Sequence, residues 1–354
     1  MPARSTLNNP AGCEWFAMSD PKKWEVVIVG AGMAGLSAGI YLGRAQRDAL
    51  IVSAGNSMAA WEPDVQNYLG FPDGIAGEKL LARGRQQAGR YGISFAEAEI
   101  DSVTLEDGSF LLKGKTKQLR ARKVLLATGI FHLPPEIPGV KDCLGHSMFF
   151  CKDCDGYRLQ GKRIAIFGAN NEAVEYALGM LHYSACVLIA LHGREPTWSA
   201  QHADWLREYE IPVYPQKISD VDRDGCKLLG LKFAGSDHVA VDALFTTRGD
   251  IFYNELAKTA GAAIDEKTGE ICTNDCLMTS VPGLYAAGCV TAANCQMIIA
   301  AGQGAIAAQA INRALFEESL RDHGLRRHRD RQIREEETTP HVVTPDGNAE
   351  RWSG

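Results

Sequence analysis

The first part of the chain alternates short apolar runs with glycine-rich turns. The β-branched run Val26–Val29 predicts a buried parallel strand. It leads directly into the sequence GAGMAG at Gly30–Gly35, after which Leu36–Arg44 has helical character and Ala49–Val52 predicts a second strand. This order of strand, Gly-x-Gly-x-x-Gly, helix and strand is typical of a βαβ unit that binds a dinucleotide.

The glycine motif is a weak signal alone, and its position between strand and helix favours nucleotide binding over a structural turn. Gly30 permits the tight turn, and Gly32 lets a pyrophosphate approach the backbone at the positive end of the helix. Gly35 begins a series of glycines at four-residue spacing, which predicts a smooth helix face against the sheet. The second strand ends at Ser53 without the acidic residue that commonly holds the ribose.

Two further segments complete the pattern of this first unit. The loop Gly55–Gly77 is rich in turn formers and aromatic residues, and it is either a long surface loop or a lid over a flat ring system. The apolar run Val124–Ala127 predicts a buried strand that ends at Thr128–Gly129. A proline cluster follows and marks a first domain boundary.

A second βαβ pattern lies further along the chain. Arg163–Phe167 and Cys186–Leu191 predict its two strands, with a glycine turn and a helix between them. Asn170 replaces the middle glycine and puts a side chain where phosphates would meet bare backbone. Arg194 stands beside Glu195, whereas a 2′-phosphate favours a cluster of arginines. The repeat predicts two nucleotide-binding-type domains, of which the second has a degraded site for NADPH.

The two ends of the chain differ from this core in composition. Met1–Lys23 mixes Pro, Asn, Gly and Ser and is predicted to be a flexible leader. Gln296–Phe316 predicts a long helix of small residues that closes the fold. The segment Arg321–Gly354 is dense in charged residues, which predicts a solvated, disordered tail.

Composition narrows the classes of function. The 354 residues favour two domains, and 45% hydrophobic and 23% charged residues are typical of a globular protein. A net charge of −6 argues against nucleic acid or an anionic membrane as the main partner. The start has no apolar signal-peptide core, no run is long enough to span a bilayer, and ten cysteines are scattered. A cytoplasmic location is therefore expected.

The sequence FFCKDCDGY at Phe149–Tyr157 carries the chemistry. Cys151 and Cys154 are three residues apart, so their sulfurs can close a small ring and open it again. Asp155 beside the second sulfur can carry the protons that a dithiol exchanges. A zinc site would need a second ligand pair, for which only Cys272 and Cys276 are spaced suitably, and a surface pair without function is the third alternative. Redox chemistry is the favoured interpretation, with no metal expected.

Four segments in this order resemble the low-molecular-weight thioredoxin reductases. They are Gly30-x-Gly32-x-x-Gly35, Ala127-Thr128-Gly129, Cys151-x-x-Cys154-Asp155-Gly156, and Leu284-Tyr285-Ala286-Ala287-Gly288 with Gln296 downstream. The resemblance covers about Trp24–Leu320. It implies an α/β fold of two Rossmann-like domains with three-layer ββα architecture, the second inserted in the first. It also implies FAD, a homodimer, and a thioredoxin-like protein or small disulfide or dithiol as substrate.

The resemblance also implies a boundary and a role for each matching residue. The FAD domain would be Trp24–Phe131 and Ile251–Leu320, with His132–Asp250 as the insert. Cys154 would exchange electrons with the flavin, Cys151 would attack the substrate disulfide and Asp155 would move the proton. The residues expected to hold FAD are Gly30, Gly32, Met33, Ala34, Gly35, Ser53, Asn67, Thr128, Gly129, Gly288, Cys289, Gln296 and Met297.

Two departures from the family pattern affect the expected function. Cys289 stands where the family usually has an Asp that holds the ribityl chain. We expect Cys289 and Cys295 to be free, buried small hydrophobes, the alternative being a pair near the flavin. The degraded insert favours an enzyme that works without NADPH. The chain resembles the branch of this family that does so, which implies ferredoxin or a second flavin as the source of electrons. The alternatives are an ordinary NADPH-dependent thioredoxin reductase, a small-molecule dithiol oxidase and a flavoprotein without enzymatic activity.

Overall fold

The computed structural model describes residues 22–338, except Asn56, Ser236–Asp237 and Arg248. It is a mixed α/β molecule with two mainly parallel sheets, which confirms the predicted fold class. Nearly all of the predicted leader lies outside the described residues, and its last residue, Lys23, begins the first strand.

The first sheet and its helices come from both ends of the chain. The N-terminal elements, in order, are β1 (Lys23–Val29), α1 (Met33–Arg44), β2 (Ala49–Ser53), α2 (Gly77–Arg90), β3 (Ser94–Glu97), β4 (Ser102–Glu106), β5 (Ser109–Lys113), β6 (Gln118–Leu126) and β7 (Ile130–His132). The C-terminal elements are β16 (Asp250–Phe252), α6 (Glu255–Thr259), β17 (Leu284–Ala286), α7 (Met297–Arg321) and α8 (Gly324–Thr338).

Strand β1 lies at the centre of a sheet ordered β3-β2-β1-β6-β5-β4. Val27 pairs in parallel with Leu50 of β2 on one side and Val124 of β6 on the other. Strand β17 adds in parallel to the end of β6, whereas β4 and β5 form an antiparallel ribbon with its beginning. Val26–Ile28 have no solvent exposure, because helices and the antiparallel ribbon cover the two faces of the sheet. Because β1, β6 and β17 are parallel to one another, their carboxyl ends meet at one edge of the sheet.

The middle of the chain forms a second α/β unit. Its elements are β8 (Met148–Phe149), α3 (Lys152–Asp155), β9 (Ile164–Phe167), α4 (Asn171–Met180), β10 (Val187–Ala190), α5 (Ala200–Glu208), β11 (Val213–Tyr214), β12 (Ile218–Asp224), β13 (Lys227–Phe233), β14 (His238–Ala240) and β15 (Ala243–Thr246). Five parallel strands are ordered β11-β10-β9-β15-β8, and β12-β13-β14 form a separate antiparallel sheet. The predicted second βαβ unit is β9-α4-β10.

The chain enters and leaves this second unit through one two-stranded ribbon. Strand β7 pairs antiparallel with β16, and Phe131 lies opposite Ile251. Nδ1 of His132 lies 2.5 Å from Oδ1 of Asp250, and the Thr128 hydroxyl donates to the Tyr253 carbonyl at 2.6 Å. The predicted domain boundaries fall on this ribbon.

The structure differs from the sequence analysis at two helices. The tail was expected to be disordered, but Gly324–Thr338 form α8; the rest of the tail lies outside the described residues. Its charged side chains suit a helix with exposed faces, and charge density alone cannot separate such a helix from a disordered segment. Helix α5 was missed because its polar sequence, with only Leu206 buried, has little apolar periodicity.

Candidate active site

A cavity of about 890 Å³ lies where the carboxyl ends of β1, β6 and β17 meet. Its wall comes from the glycine turn, from the loop before α2, from the β17–α7 connection and from the Cys151–Cys154 segment. Its size is at the upper end of the range for ligand sites, which suits a dinucleotide rather than a small metabolite.

The glycine turn after β1 is built so that backbone, not side chains, forms part of this wall. Gly30 has a φ of +113°, and a Cβ there would lie 2.1 Å from the Ala127 carbonyl oxygen. Gly32 is the N-cap of α1, so the positive end of that helix lies at the cavity. Gly35 is not a wall residue; a Cβ there would lie 1.9 Å from the Gly30 carbonyl oxygen. These residues fit a pyrophosphate, with Gly35 supporting the turn from behind.

Helix α7 fixes the opposite wall. A Cβ on Gly304 would lie 2.1 Å from the Ala34 carbonyl oxygen, so α7 packs directly on the start of α1. Oε1 of Gln303 accepts hydrogen bonds from the Gly288 amide at 2.7 Å and the Thr291 hydroxyl at 3.2 Å. Gln303 therefore fixes the turn that carries Cys289.

Cys151 and Cys154 form a disulfide at the edge of the cavity, with their Cα atoms 5.3 Å apart. Cys151 is the N-cap of the short helix α3, and its sulfur accepts a hydrogen bond from the Cys154 amide at 3.1 Å. The two sulfurs are therefore paired, as predicted, and they line the same cavity as the glycine turn.

Gln296 connects the disulfide to the rest of the cavity wall. Its Nε2 lies 3.3 Å from the Cys151 sulfur and 3.2 Å from the Cys154 sulfur. Its Oε1 accepts a hydrogen bond from Nδ2 of Asn67 at 3.0 Å. Asn67 belongs to the Gly55–Gly77 loop, which was interpreted from the sequence as either a lid or a surface loop. Asn67 lines the cavity, so at least this part of the loop faces it.

Asp155 is buried next to Cys154 and belongs to a cluster of charged residues whose other members are half-buried. Nη2 of Arg158 lies 2.5 Å from Asp155 and 3.5 Å from Glu62. Burial raises the pKa of Asp155 to about 6, although Arg158 opposes the shift. Burial, followed by the charge of Asp155, raises the pKa of Glu62 to about 7. Both carboxyls can therefore exchange protons near neutral pH.

The corresponding turn of the second unit differs from the first. The Asn170 side chain caps α4, accepting a hydrogen bond from the Ala173 amide at 3.1 Å. Glu172 lies in the first helical turn, and burial and the charge of Asp250 raise its pKa. Arg194 lies over the Phe167 ring, 5.0 Å from its centroid.

Cys289 and Cys295 are not the free, buried cysteines that we expected. They form a second disulfide, with Cα atoms 4.9 Å apart, and both line the cavity. Cys295 is exposed and Cys289 half-buried. Sequence spacing cannot show this pairing, because it depends on how the loop between β17 and α7 turns back. Cys272 and Cys276 are free and exposed, and no group of metal ligands was found in the described part of the chain.

The structure brings almost every predicted site residue to this cavity. Those that line it are Gly30, Gly32, Met33, Ala34, Ser53, Asn67, Thr128, Gly129, Cys151, Cys154, Asp155, Gly288, Cys289, Gln296 and Met297. The sequence analysis missed Glu62, Arg158 and Gln303. Arg158 lies one helical turn beyond Asp155, which was a usable signal, whereas nothing local marks Glu62 or Gln303.

Comparison with known proteins identifies the family. The pyridine nucleotide-disulphide oxidoreductases match residues 24–347. The chain belongs to this family. Among relatives of this oxidoreductase, the thioredoxin reductase of Treponema pallidum is 31% identical over 303 residues, covering 81% of this chain and 95% of the relative. The thioredoxin reductase of Bacillus subtilis is 28% identical over 306 residues, covering 83% and 95%.

Solved structures agree with this assignment. The crystal structure of HlmI has a TM-score of 0.80 and 29% identity, covering 88% of this oxidoreductase and 98% of that protein. A putative thioredoxin reductase from Bacillus anthracis has a TM-score of 0.77 and 27% identity, covering 83% and 99%. The protein is thus a thioredoxin reductase-like, flavin-dependent disulfide oxidoreductase with the Cys151–Cys154 pair. Among its described helices, none is long and apolar enough to cross a membrane.

Proposed function

We propose that this protein is an FAD-dependent dithiol/disulfide oxidoreductase that receives its electrons from a donor other than NADPH. The observation that carries the proposal is the Cys151–Cys154 disulfide in the wall of the cavity formed by the glycine turn. FAD, when bound, would supply a two-electron carrier there. The residues proposed to hold it are the cavity-lining residues named above other than Cys151, Cys154 and Asp155, with Gly35 supporting the turn from behind.

The protein's own side chains suit exchange with a disulfide substrate. Cys151, once reduced, attacks one sulfur of the substrate and forms a mixed disulfide. Cys154 then attacks the Cys151 sulfur, which releases the substrate as a dithiol and restores the Cys151–Cys154 bond. Asp155, with its pKa raised to about 6, takes the proton from Cys154. The nearby Arg158 compensates the charge of the Asp155 carboxylate.

The turn before α4 supports a donor other than NADPH. The Asn170 side chain uses the Ala173 amide that a phosphate would otherwise approach. Glu172 adds an acidic group to the same helix start, and Arg194 packs on an aromatic ring. Ferredoxin or a second flavin are the proposed sources of electrons. We also propose a homodimer, a thioredoxin-like protein or small disulfide as substrate, and a cytoplasmic location.

The names of the relatives favour a second candidate, an NADPH-dependent thioredoxin reductase. Anaerobic mixing of the yellow protein with NADPH, and separately with NADH, separates the two candidates. We expect no rapid bleaching near about 450 nm, where oxidised flavins absorb. Rapid bleaching by either nucleotide would refute the proposed donor and support the second candidate.

A third candidate, a small-molecule dithiol oxidase, is tested by oxygen uptake with a small dithiol and no other acceptor. Cys154→Ser tests the catalytic pair itself. We expect this variant to retain FAD and to lose dithiol exchange. Turnover at the wild-type rate would show that the sulfur assigned to the flavin is the wrong one.

A further inference from the structure

The loop that carries the second disulfide is also held by hydrogen bonds. Cys289 lies shortly after β17 and Cys295 lies two residues before α7, so the bond closes the short loop between these elements. Gln303 already fixes the start of this loop through the Gly288 amide and the Thr291 hydroxyl. The loop therefore has a support that is independent of the sulfurs.

The two sulfurs differ in their access to solvent. Cys295 is exposed, whereas Cys289 is half-buried, and both contribute to the cavity wall. An incoming thiolate can therefore reach Cys295 from solvent more easily than Cys289. Exposed disulfides are more often labile than buried structural ones.

Cys295 is also joined directly to a residue that contacts the catalytic disulfide. Gln296, the next residue, lies within hydrogen-bond distance of the sulfurs of Cys151 and Cys154 through the same Nε2 atom. A change in the backbone at Cys295 can therefore be transmitted to the Gln296 side chain, which begins at the next Cα atom. Gln296 thus follows one disulfide in the sequence and contacts the other.

We propose that Cys289–Cys295 is a second redox-active disulfide, reduced by a dithiol through Cys295, and that its state sets the position of Gln296 on the catalytic sulfurs. One thiolate of the dithiol attacks the Cys295 sulfur, and Cys289 leaves and takes a proton. The second thiol of the reagent attacks the mixed disulfide and releases Cys295. The dithiol becomes a disulfide, and Cys289 and Cys295 become two thiols. This exchange is independent of the donor proposed above.

The first experiment isolates the second pair in the FAD-loaded, native protein. Cys151→Ser/Cys154→Ser removes the catalytic pair, and dithiothreitol at increasing ratios of reduced to oxidised form is the probe. Alkylation followed by peptide mass spectrometry measures the thiols. We expect Cys289 and Cys295 to gain label together, which is a gain of two labelled thiols per chain over the sample without reductant.

Two outcomes of this titration would overturn the proposal. The pair could remain oxidised until the protein is denatured, which would make it a structural bond. It could also be alkylated without any reductant, which would mean that no disulfide forms. The free, exposed Cys186 and Cys226 serve as internal controls, since we expect them to be labelled at every ratio.

The point of entry is tested with single variants exposed to oxidised glutathione. Cys289→Ser leaves the exposed Cys295, for which we expect rapid formation of a mixed disulfide. Cys295→Ser leaves the half-buried Cys289, for which we expect a rate about tenfold or more lower, because the attacked reagent must reach a shielded sulfur. Equal rates would refute entry through Cys295.

The link to Gln296 is tested by the exchange equilibrium between Cys151–Cys154 and dithiothreitol. Measured at ratios of reduced to oxidised dithiothreitol at which the first titration finds Cys289–Cys295 still oxidised, this constant should differ about fivefold between wild type and Cys289→Ala/Cys295→Ala, the effect of one altered hydrogen bond. Gln296→Ala should reduce the difference. Equal constants in wild type and double variant would refute the link, even if Cys154→Ser behaves as the proposed function requires.

Discussion

Glu62→Gln tests the charge cluster beside the catalytic disulfide. Only 25% of the Glu62 side chain is exposed, and burial raises its pKa from 4.5 to about 7. A folded-state pKa above the unfolded one means that the folded protein binds the extra proton. The resulting stability is present below the unfolded pKa and is lost as pH rises through the folded pKa. Wild type should therefore lose stability in this window through Glu62.

The shift sets the size of the effect. Two and a half units at about 1.4 kcal/mol each correspond to about 3.5 kcal/mol in total. Between about pH 5 and about pH 8, linkage gives a loss of about 2.5 kcal/mol, since the unfolded group is partly protonated at the lower pH. Glutamine keeps the shape without titrating, so Glu62→Gln should gain this amount relative to wild type across the same interval.

Urea unfolding of FAD-free wild type and variant at both pH values measures the difference. Without FAD, only the protein's own groups surround Glu62. Glu208→Gln, at an exposed position on α5, is the matched control and should show no such change between the two pH values. If the stability difference between Glu62→Gln and wild type is the same at both pH values, the pKa of Glu62 is not raised and the reasoning is wrong.

Three further substitutions test the glycine turn, the proton carrier and the second unit. Gly35→Ala should lower the free energy of unfolding by about 1–3 kcal/mol and reduce the flavin content, because the added Cβ would meet the Gly30 carbonyl. The control Gly89→Ala, which has open space around it, should be neutral or slightly stabilising. Asp155→Asn should slow reoxidation of the reduced catalytic pair by about 10²-fold or more in rapid mixing, and an unchanged rate would exclude Asp155 as proton carrier. Asn170→Gly frees the Ala173 amide at a cost of only a few tenths of a kcal/mol, so it should tighten binding of pyridine nucleotide in a fluorescence titration; no gain would mean that the cap is not the obstacle.

The sequence was most informative where backbone geometry and spacing alone define the chemistry. The glycine turn could be recognised because few residues other than glycine allow the close approach of Gly30 to Ala127. The Cys151–Cys154 pair could be recognised because three-residue spacing brings two sulfurs together within a single turn.

The sequence was least informative where function depends on contacts between distant segments. Glu62 lies in the loop before α2 and Asp155 at the end of α3, and their raised pKa values result from a burial that neither segment shows by itself. Gln303 lies in the second turn of α7 and supports the Gly288 turn, but the sequence of this segment shows only a helix of small residues. The Cys289–Cys295 bond likewise depends on the path of a loop.

The ribbon of β7 and β16 has a consequence for how this protein can evolve. Because the chain departs and returns on neighbouring strands, everything between them behaves as a cassette whose two ends are held side by side. Such a cassette can diverge, or be exchanged for another, without rerouting the sheet that carries the glycine turn. Selection can thus alter the turn at Asn170 while the cavity at the glycine turn is preserved.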